Sequence, residues 1–524
     1  MTEAEVVKII GSMKPKHCEL DVIPLTIFKL LLPKIGPIIT KIVNLSLLNG
    51  VFCDQWKTAL VKPLLKKANL ELVKSNYRPV SNLPYISKIV EKCMLSQLNP
   101  YCVTNKLLPD YQSAYRAGYS CETLLLSMVN DILCSMESKE ITAMAVMDLS
   151  AAFDTVDHSI LLQILSHNFG ISDNALQWFD SYLRPRCMQV KVNNCVSEKQ
   201  PIDFSVPQGS CAGASFFNMY SSTLDEAIPK QLSLNGFADD HSVRKSFKPK
   251  CKDSELSVVR EIETALVSAK NWMNSVRLKM NDSKTEFICF GNKIFTSKMS
   301  TSSINVNGTA VYKSEEIRLL GAWLDSELNF KRHITKKCCA AMVNLQKLKC
   351  IRPYLTKDTC ETLVLTLCIS HLDYANSLLI GLPDVTIAKL QRIQNMCAKV
   401  VLQQSKYSSS STALKQLHWL PITFRIQFKI ATMVYNCLHN KAPQYLKDLI
   451  QLQTIRHSGL RSNSTTQIQL PIRKRKTFAN RSFSVQGPII WNSLPADIRD
   501  STSIDIFKKK LKTHYFNQFI HTSM

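Results

Sequence analysis

Apolar residues along this chain change their period several times, and each change predicts a different element. From Ile27 to Leu32 and from Ile38 to Leu48 they recur at helical spacing, interrupted by Pro33 and Pro37 and closed by Gly50. The first 60 residues are therefore predicted to be helical, with breaks at the prolines. Leu60 to Leu65 reads as a short strand running into the basic turn Lys66-Lys67, and Asn76-Tyr77-Arg78-Pro79-Val80-Ser81 as an extended segment held by its proline. Helical period returns at Ile86–Leu98 and Glu122–Cys134, on either side of the basic loop Gln112–Ser120.

The pattern then turns to strands. Ala143 to Met147 is a continuous apolar run, suited to a strand buried on both faces and ending in Asp148. Ser150 is placed to cap a helix carrying Phe153, Val156 and Ile160–Leu165, with Asp154 and Asp157 as first-turn acids. Residues 171–185 predict a helix with Trp178 and Phe179 on its core face, and 187–206 a hairpin turning at Asn193-Asn194. The Pro/Gly turn Val206-Pro207-Gln208-Gly209-Ser210 feeds a helix over Ala214–Leu224. Asn235 to His241 predicts a β-hairpin with Asp239 and Asp240 at its tip, since alternating residues flank a pair better suited to a turn than to a strand. A long amphipathic helix follows over Glu255–Arg277, then a basic turn from Lys279 into a strand reaching Phe290, and a strand Ile317–Trp323 with Gly321 inside it. From Lys331 onward the pattern is mostly helical (Ile334–Leu348, Asp358–Ala375, Val385–Leu402, Ile422–Leu438), with Ser408–Ser411 reading as a linker.

Composition narrows the class. At 524 residues and 45% hydrophobic content the chain predicts a globular protein of about three domains or subdomains. No run of eighteen uninterrupted apolar residues appears and the N-terminus is acidic, so no membrane span and no secretory signal are expected, and an intracellular protein follows. The 18 cysteines are scattered without C-x-x-C pairs, which predicts free thiols rather than disulfides or a zinc site. Charge is unevenly placed: from residue 331 to the end there are 29 Lys and Arg against 8 Asp and Glu, or +21 of the chain's +24. A field of that kind predicts a polyanionic partner. Arg473-Lys474-Arg475-Lys476, interleaved with Phe478, Phe483 and Trp491 and followed by Lys508-Lys509-Lys510, suits nucleic acid, and the basic cluster equally suits nuclear localisation.

Three carboxylates carry the candidate chemistry. Asp148 ends a buried strand, where a charge is costly unless a cation partners it, and Asp239 and Asp240 follow 91 residues later on a hairpin tip. An Asp-Asp pair alone fits a solvated turn, and Arg78 and Arg116, each in a loop ahead of a helix, fit either a phosphate grip or an ordinary surface. Three acids meeting at one cleft would hold two divalent ions, as phosphoryl transfer to a 3′-hydroxyl needs, and Mg²⁺ suits such hard oxygen ligands.

Six motifs in order carry a family resemblance: Asn76–Ser81; Met147-Asp148-Leu149-Ser150-Ala151-Ala152-Phe153-Asp154-Thr155-Val156-Asp157-His158; Val206–Ser210; Phe237-Ala238-Asp239-Asp240; Ser283-Lys284-Thr285; and Leu319-Leu320-Gly321. Over most of residues 40–330 the chain resembles the reverse transcriptases of non-LTR (LINE-type, jockey-like) retrotransposons. The resemblance implies an α+β right-hand polymerase of fingers, palm and thumb with a mainly helical basic C-terminal region. It implies a helical extension over 1–45, a reverse transcriptase domain over 46–324, a thumb-like region over 325–405 and a basic region over 406–524. It implies Asp148, Asp239 and Asp240 as ligands of two Mg²⁺ ions (or Mn²⁺), and Lys284 as a general acid near the leaving pyrophosphate. Arg78, Arg116, Phe153, Gln208 and Gly209 would contact the template or incoming nucleotide, with Phe153 under the sugar's 2′ position. Leu320 and Gly321 would grip the primer end. The implied partners are an RNA template, a DNA primer or target, and deoxynucleotides, with nuclear action. The sequence departs from the family at Ala214, where Pro is usual, and at Ala114-Tyr115, where Gly-Phe is usual. Residues 1–40 are too few for the endonuclease that such elements carry upstream, so the chain is not expected to nick its own target. An inactive relic that binds RNA or DNA, and an RNA-dependent RNA polymerase, are the alternative readings.

Overall fold

The computed structural model describes residues 1–14, 18–67, 69–150, 152–249, 252–452, 467–471 and 477–522. The chain forms two compact units, Met1–Tyr115 with Met147–Ser242 and Thr264–Thr285, and Arg116–Val146 with Val243–Glu263 and Glu286–Met524. Helices and mixed sheets occur in both, an α+β architecture.

In the first unit the strand Thr58–Leu65 lies between two partners. It pairs antiparallel with Tyr77–Asn82 (Val61 opposite Ser81) and parallel with Arg186–Val192 (Leu60 opposite Gln189). The latter turns at Asn193-Asn194 into Cys195–Val196, as its sequence predicts, and also pairs with Gln200–Ile202. On the helix Asp173–Leu183 the i, i+4 pair Trp178 and Tyr182 stacks at 5.6 Å, and Phe52 meets both rings edge-on. That aromatic cluster is part of the core of the unit.

The predicted breaks at Pro33 and Pro37 do not occur: one helix runs from Leu25 to Leu48 through both. The two prolines are exposed and four residues apart, so the carbonyls they leave unpaired, on Lys29 and Pro33, lie on the wet side of the helix where water satisfies them. Leu32, Gly36, Ile39 and Val43 form the opposite, buried stripe, against the helices Glu3–Ser12, Tyr85–Thr104 and Asp173–Leu183. Among the described residues this helix alone is long and apolar enough to cross a membrane, by length and composition only. A count of uninterrupted apolar residues overlooks it because Lys29, Lys34 and Lys41 break the run.

In the second unit the sheet order is Ser303–Val306, Thr309–Ser314, Glu286–Phe290, Ile141–Met147, Asp240–Phe247. Ile141–Met147 is buried along nearly its whole length, as its apolar run predicts, and pairs antiparallel with Glu286–Phe290, Phe287 opposite Ala145. The expected strand Ile317–Trp323 is instead a hairpin, Glu316–Leu319 and Ala322–Asp325, turning at Leu320-Gly321. Both turn residues have positive φ (47° and 78°), which matches a two-residue turn to the strand twist.

Helices complete this unit. Ile422–Leu438 falls where its period predicts, whereas the expected Asp358–Ala375 helix passes through a wider π turn at Leu365–Ile369. The predicted linker Ser408–Ser411 is partly a helix start, Ser409 capping Ser410–Gln416 by accepting the Thr412 N–H. Phe483 and Trp491 are fully buried, so they are core residues and not a stacking platform for bases. Their eight-residue spacing puts them on the face of Phe483–Ser493 that packs on Ile422–Leu438, and Trp491 also stacks on Phe507 at 5.7 Å. Lys508-Lys509-Lys510 are exposed on the helix Ile504–Thr522. The basic cluster Arg473–Lys476 lies outside the described residues.

Candidate active site

Asp239 and Asp240 occupy the position their sequence predicts. The strands Ser233–Phe237 and Asp240–Phe247 are joined by the two-residue turn Ala238-Asp239, so one acid is in the turn and the next opens the strand. Behind them His241 is buried, its Nδ1–H donating to the Asp239 carbonyl at 3.1 Å and its ring 6.0 Å from that of Tyr111. Gly236 fits against Tyr111 because a Cβ there would lie 3.0 Å from the ring.

Asp148 reaches the site by a change of partner. At Met147 the chain leaves the Ile141–Met147 strand, and Leu149-Ser150 pair antiparallel with Lys279-Met280 in a two-residue ribbon. The Asn281 N–H donates to the Asp148 carbonyl at 2.9 Å, a 3₁₀ turn over Asp282–Lys284 follows, and Lys284 Nζ arrives 3.0 Å from Asp148 Oδ2. Lys270 pins that turn through Asp282 at 2.6 Å. A register set by two residue pairs thus brings together a lysine and an aspartate distant in sequence.

The carboxylates repel one another. Burial, with the Asp148 charge adding to it, raises the Asp239 carboxyl above its ordinary range while its own backbone N–H and the Arg78 charge pull it back. Burial first, then Asp239 and Asp148, push Asp240 up to about 6. Among the described residues no cation stands at ion-pair distance from Asp239 or Asp240, and no three His, Cys, Asp or Glu side chains stand together at ligating geometry. Buried, mutually repelling oxygen donors with no organic cation on the hairpin acids are chemically suited to a hard divalent cation.

A second group of predicted residues gathers beside the strand Tyr77–Asn82. The Ser81 N–H donates to the Gln208 carbonyl at 2.9 Å, and Gln208 Nε2 donates to Asp154 Oδ1 at 2.8 Å. Gly209 lies so close to this strand that a Cβ on it would stand 2.0 Å from the Ser81 carbonyl. Phe153 is on a 3₁₀ turn, Ala152–Thr155, and not on the α-helix expected from Ser150; its ring stacks on Phe217 at 4.7 Å and its carbonyl accepts the Val206 N–H at 3.1 Å. The helix begins only at His158, because Asp157 is its cap and accepts the N–H groups of Ser159 and Ile160 at 2.9 and 3.0 Å. Asp157 also pairs with Arg277. The other three predicted residues, Arg116, Leu320 and Gly321, belong to the second unit. Arg116 covers the Tyr119 ring at 4.4 Å, and Leu320-Gly321 is the turn beside Tyr374, whose hydroxyl donates to the Leu320 carbonyl.

One residue of this site has no motif to announce it. Glu91, on the helix Tyr85–Thr104, is fully buried; Oε2 accepts Ser210 Oγ at 3.0 Å and the Cys211 N–H at 2.6 Å, and Oε1 accepts Ser87 Oγ and the Tyr182 hydroxyl at 3.1 and 3.3 Å. It anchors the loop carrying Gln208 and Gly209. A charged residue amid the buried positions Ile89, Val90, Cys93 and Met94 is the one signal the sequence offers for it.

Residues 65–324 match the family model described as Reverse transcriptase (RNA-dependent DNA polymerase). The probable RNA-directed DNA polymerase from transposon BS of Drosophila melanogaster is 28% identical over 304 residues, 56% of this chain and 33% of the relative. The RNA-directed DNA polymerase from mobile element jockey of the same fly is 28% identical over 292 residues, 55% of this chain and 31% of the relative. The chain thus spans about a third of the length of these curated relatives. Among solved structures, apo telomerase from Candida Tropicalis overlaps 71% of this chain and 63% of its own, at 12% identity and a TM-score of 0.36. Divalent metal ions are general to reverse transcriptases. Residues 65–324, the stretch holding Asp148, Asp239, Asp240 and Lys284, thus form a reverse transcriptase domain, similar in sequence to the RNA-directed DNA polymerases of the jockey and BS elements.

Proposed function

We propose that this chain is an RNA-directed DNA polymerase, extending a DNA 3′ end on an RNA template with deoxynucleotides. The observation that carries the reading is the Asp239-Asp240 turn coupled electrostatically to Asp148, itself in contact with Lys284, within a reverse transcriptase domain. Asp148, Asp239 and Asp240 would hold two Mg²⁺ ions, with Mn²⁺ as a substitute. Bound there, the metal supplies a lowered pKa to the primer 3′-hydroxyl and neutralises charge on the leaving pyrophosphate. Lys284, with 63% of its side chain exposed, can swing its ammonium from Asp148 toward that pyrophosphate and give it a proton. Phe153, backed by Phe217, fills the space a 2′-hydroxyl would need. Gln208 and Gly209 hold the template and incoming nucleotide; Arg78 and Arg116 bind phosphates, and Leu320-Gly321 meets the primer end. Fingers and palm lie within residues 46–324, a thumb-like region in 325–405, and a basic nucleic-acid-binding region in 406–524.

A primed RNA template with deoxynucleotides and Mg²⁺ tests this reading. The unaltered protein is expected to extend the primer and Asp239→Ala to lose at least about 100-fold in rate. Equal extension by the two proteins sinks the enzymatic reading. RNA binding without extension by the unaltered protein leaves a non-catalytic binding role.

A further inference from the structure

The turn that carries Asp239 and leads into Asp240 is conformationally costly. Ala238, its first residue, sits at φ 57°, a region an L-alanine visits only when neighbouring structure holds it there. The residue that holds it is Gln112, whose side chain is buried and lies alongside the turn. Gln112 Oε1 accepts the N–H of Ala238 at 2.8 Å and that of Ala114 at 3.0 Å, while Nε2 donates to the Ala238 carbonyl at 3.2 Å. One carboxamide thus serves both backbone groups of a residue in the turn, as an opposing peptide unit would in a strand. The flanking main chain follows suit: the Gly236 N–H donates to the Tyr111 carbonyl at 2.8 Å, the Ser113 N–H to the Gly236 carbonyl at 2.9 Å, and Asn218 Nδ2 fixes the far side through the Ala114 carbonyl at 2.6 Å.

The side-chain requirement is narrow. Asparagine is one methylene too short to reach, methionine fills the space but pairs with neither group, and glutamate keeps the acceptor while facing the Ala238 carbonyl with a second oxygen. We propose that Gln112 is a positioning residue of the active site: its carboxamide fixes the Ala238 turn and thereby the direction in which the Asp239 and Asp240 carboxylates point. The proposal rests on the polymerase reading for its kinetic consequence, but the turn it describes can be observed without catalysis.

Gln112→Met tests it on three readouts, on full-length protein shown to be folded by circular dichroism. Amide hydrogen exchange of peptides covering Ala238 is expected to speed at least tenfold while Ile141–Met147 keeps its protection. Mn²⁺ binding, followed by electron paramagnetic resonance with neither primer nor nucleotide, should weaken at least fivefold. In primer extension kcat should fall at least tenfold with the deoxynucleotide KM changed less than twofold. Gln112→Glu, which keeps the acceptor, should fall between the two proteins and serves in place of the methionine variant if that one does not fold. Unchanged exchange at Ala238 and unchanged Mn²⁺ affinity overturn the proposal, as does an exchange increase shared equally by Ile141–Met147. No extension by the unaltered protein would fault the polymerase reading instead, leaving the exchange and metal arms to decide on Gln112.

Discussion

Lys284 Nζ lies 3.0 Å from Oδ2 of Asp148, a residue 136 positions earlier in the chain. The pair is half open to solvent, so its own contribution to stability is small. If Lys284 gives a proton to the pyrophosphate, as proposed, replacing the ammonium should show in rate and little in stability. Lys284→Met is expected to lower the single-turnover rate of nucleotide addition about 100-fold, with Lys284→Arg retaining more. A methionine variant as fast as the unaltered protein would remove Lys284 from the chemistry.

Gly209 is constrained by space as well as by backbone. Its φ is 149° and an added Cβ would overlap the Ser81 carbonyl at 2.0 Å. Gly209→Ala must push the Val206–Ser210 loop off the strand Tyr77–Asn82 and should cost about 1–3 kcal/mol. A lowered melting temperature together with a raised deoxynucleotide KM is the expected result; an alanine variant matching the glycine protein in both would show that the loop has room to move.

Buried Glu91 accepts hydrogen bonds from neutral donors on four residues. Glu91→Leu removes the buried acceptor of the Ser87, Ser210 and Tyr182 hydroxyls and of the Cys211 N–H, and is expected to cost about 2–4 kcal/mol. Glu91→Gln can turn its oxygen toward Cys211 and its nitrogen toward Ser87 and Tyr182, limiting the loss to about 1 kcal/mol. Urea midpoints at constant m-value distinguish them, and equal midpoints would contradict this account of the loop.

His241 gives stability a pH dependence of known sign. Burial lowers its pKa from 6.5 to about 4. Between those values the unfolded chain binds a proton that the folded one does not, so stability is complete above pH 6.5 and is lost as pH falls toward 4, by up to about 3 kcal/mol. Asp240, raised to about 6, acts in the opposite sense over part of the same window. Comparing the unaltered protein with His241→Phe isolates the histidine: the stability difference should shift in favour of the phenylalanine variant by that amount between pH 7 and 4. A difference that stays constant across the range would mean His241 is not held neutral.

What the sequence makes legible follows from how far each signal reaches. The buried strand before Asp148 and the hairpin at Asp239-Asp240 were readable because period and turn chemistry are local properties. Proline's usual effect misleads at Pro33 and Pro37, because the side on which the freed carbonyls face water depends on which helices pack opposite. The helix start at Ser150 gives way to Asp157 for a similar reason: the chain spends residues 149–150 pairing with 279–280, and that partner is invisible in a local window. Phe483 and Trp491 look like base-stacking rings among basic residues, and only tertiary packing reveals that they face inward. Glu91 and Gln112 act through contacts to segments over a hundred residues away, which no spacing rule encodes.

The ribbon formed by Leu149-Ser150 and Lys279-Met280 has just two residue pairs. Short ladders of this kind are where native proteins come apart first, at a free-energy cost well below that of global unfolding. The contact between Lys284 and Asp148 therefore depends on a short ribbon that local opening can release, backed by the Asn281–Asp148 hydrogen bond and the Lys270–Asp282 pair. In the reaction proposed above, local opening of this ribbon would free Lys284 from Asp148.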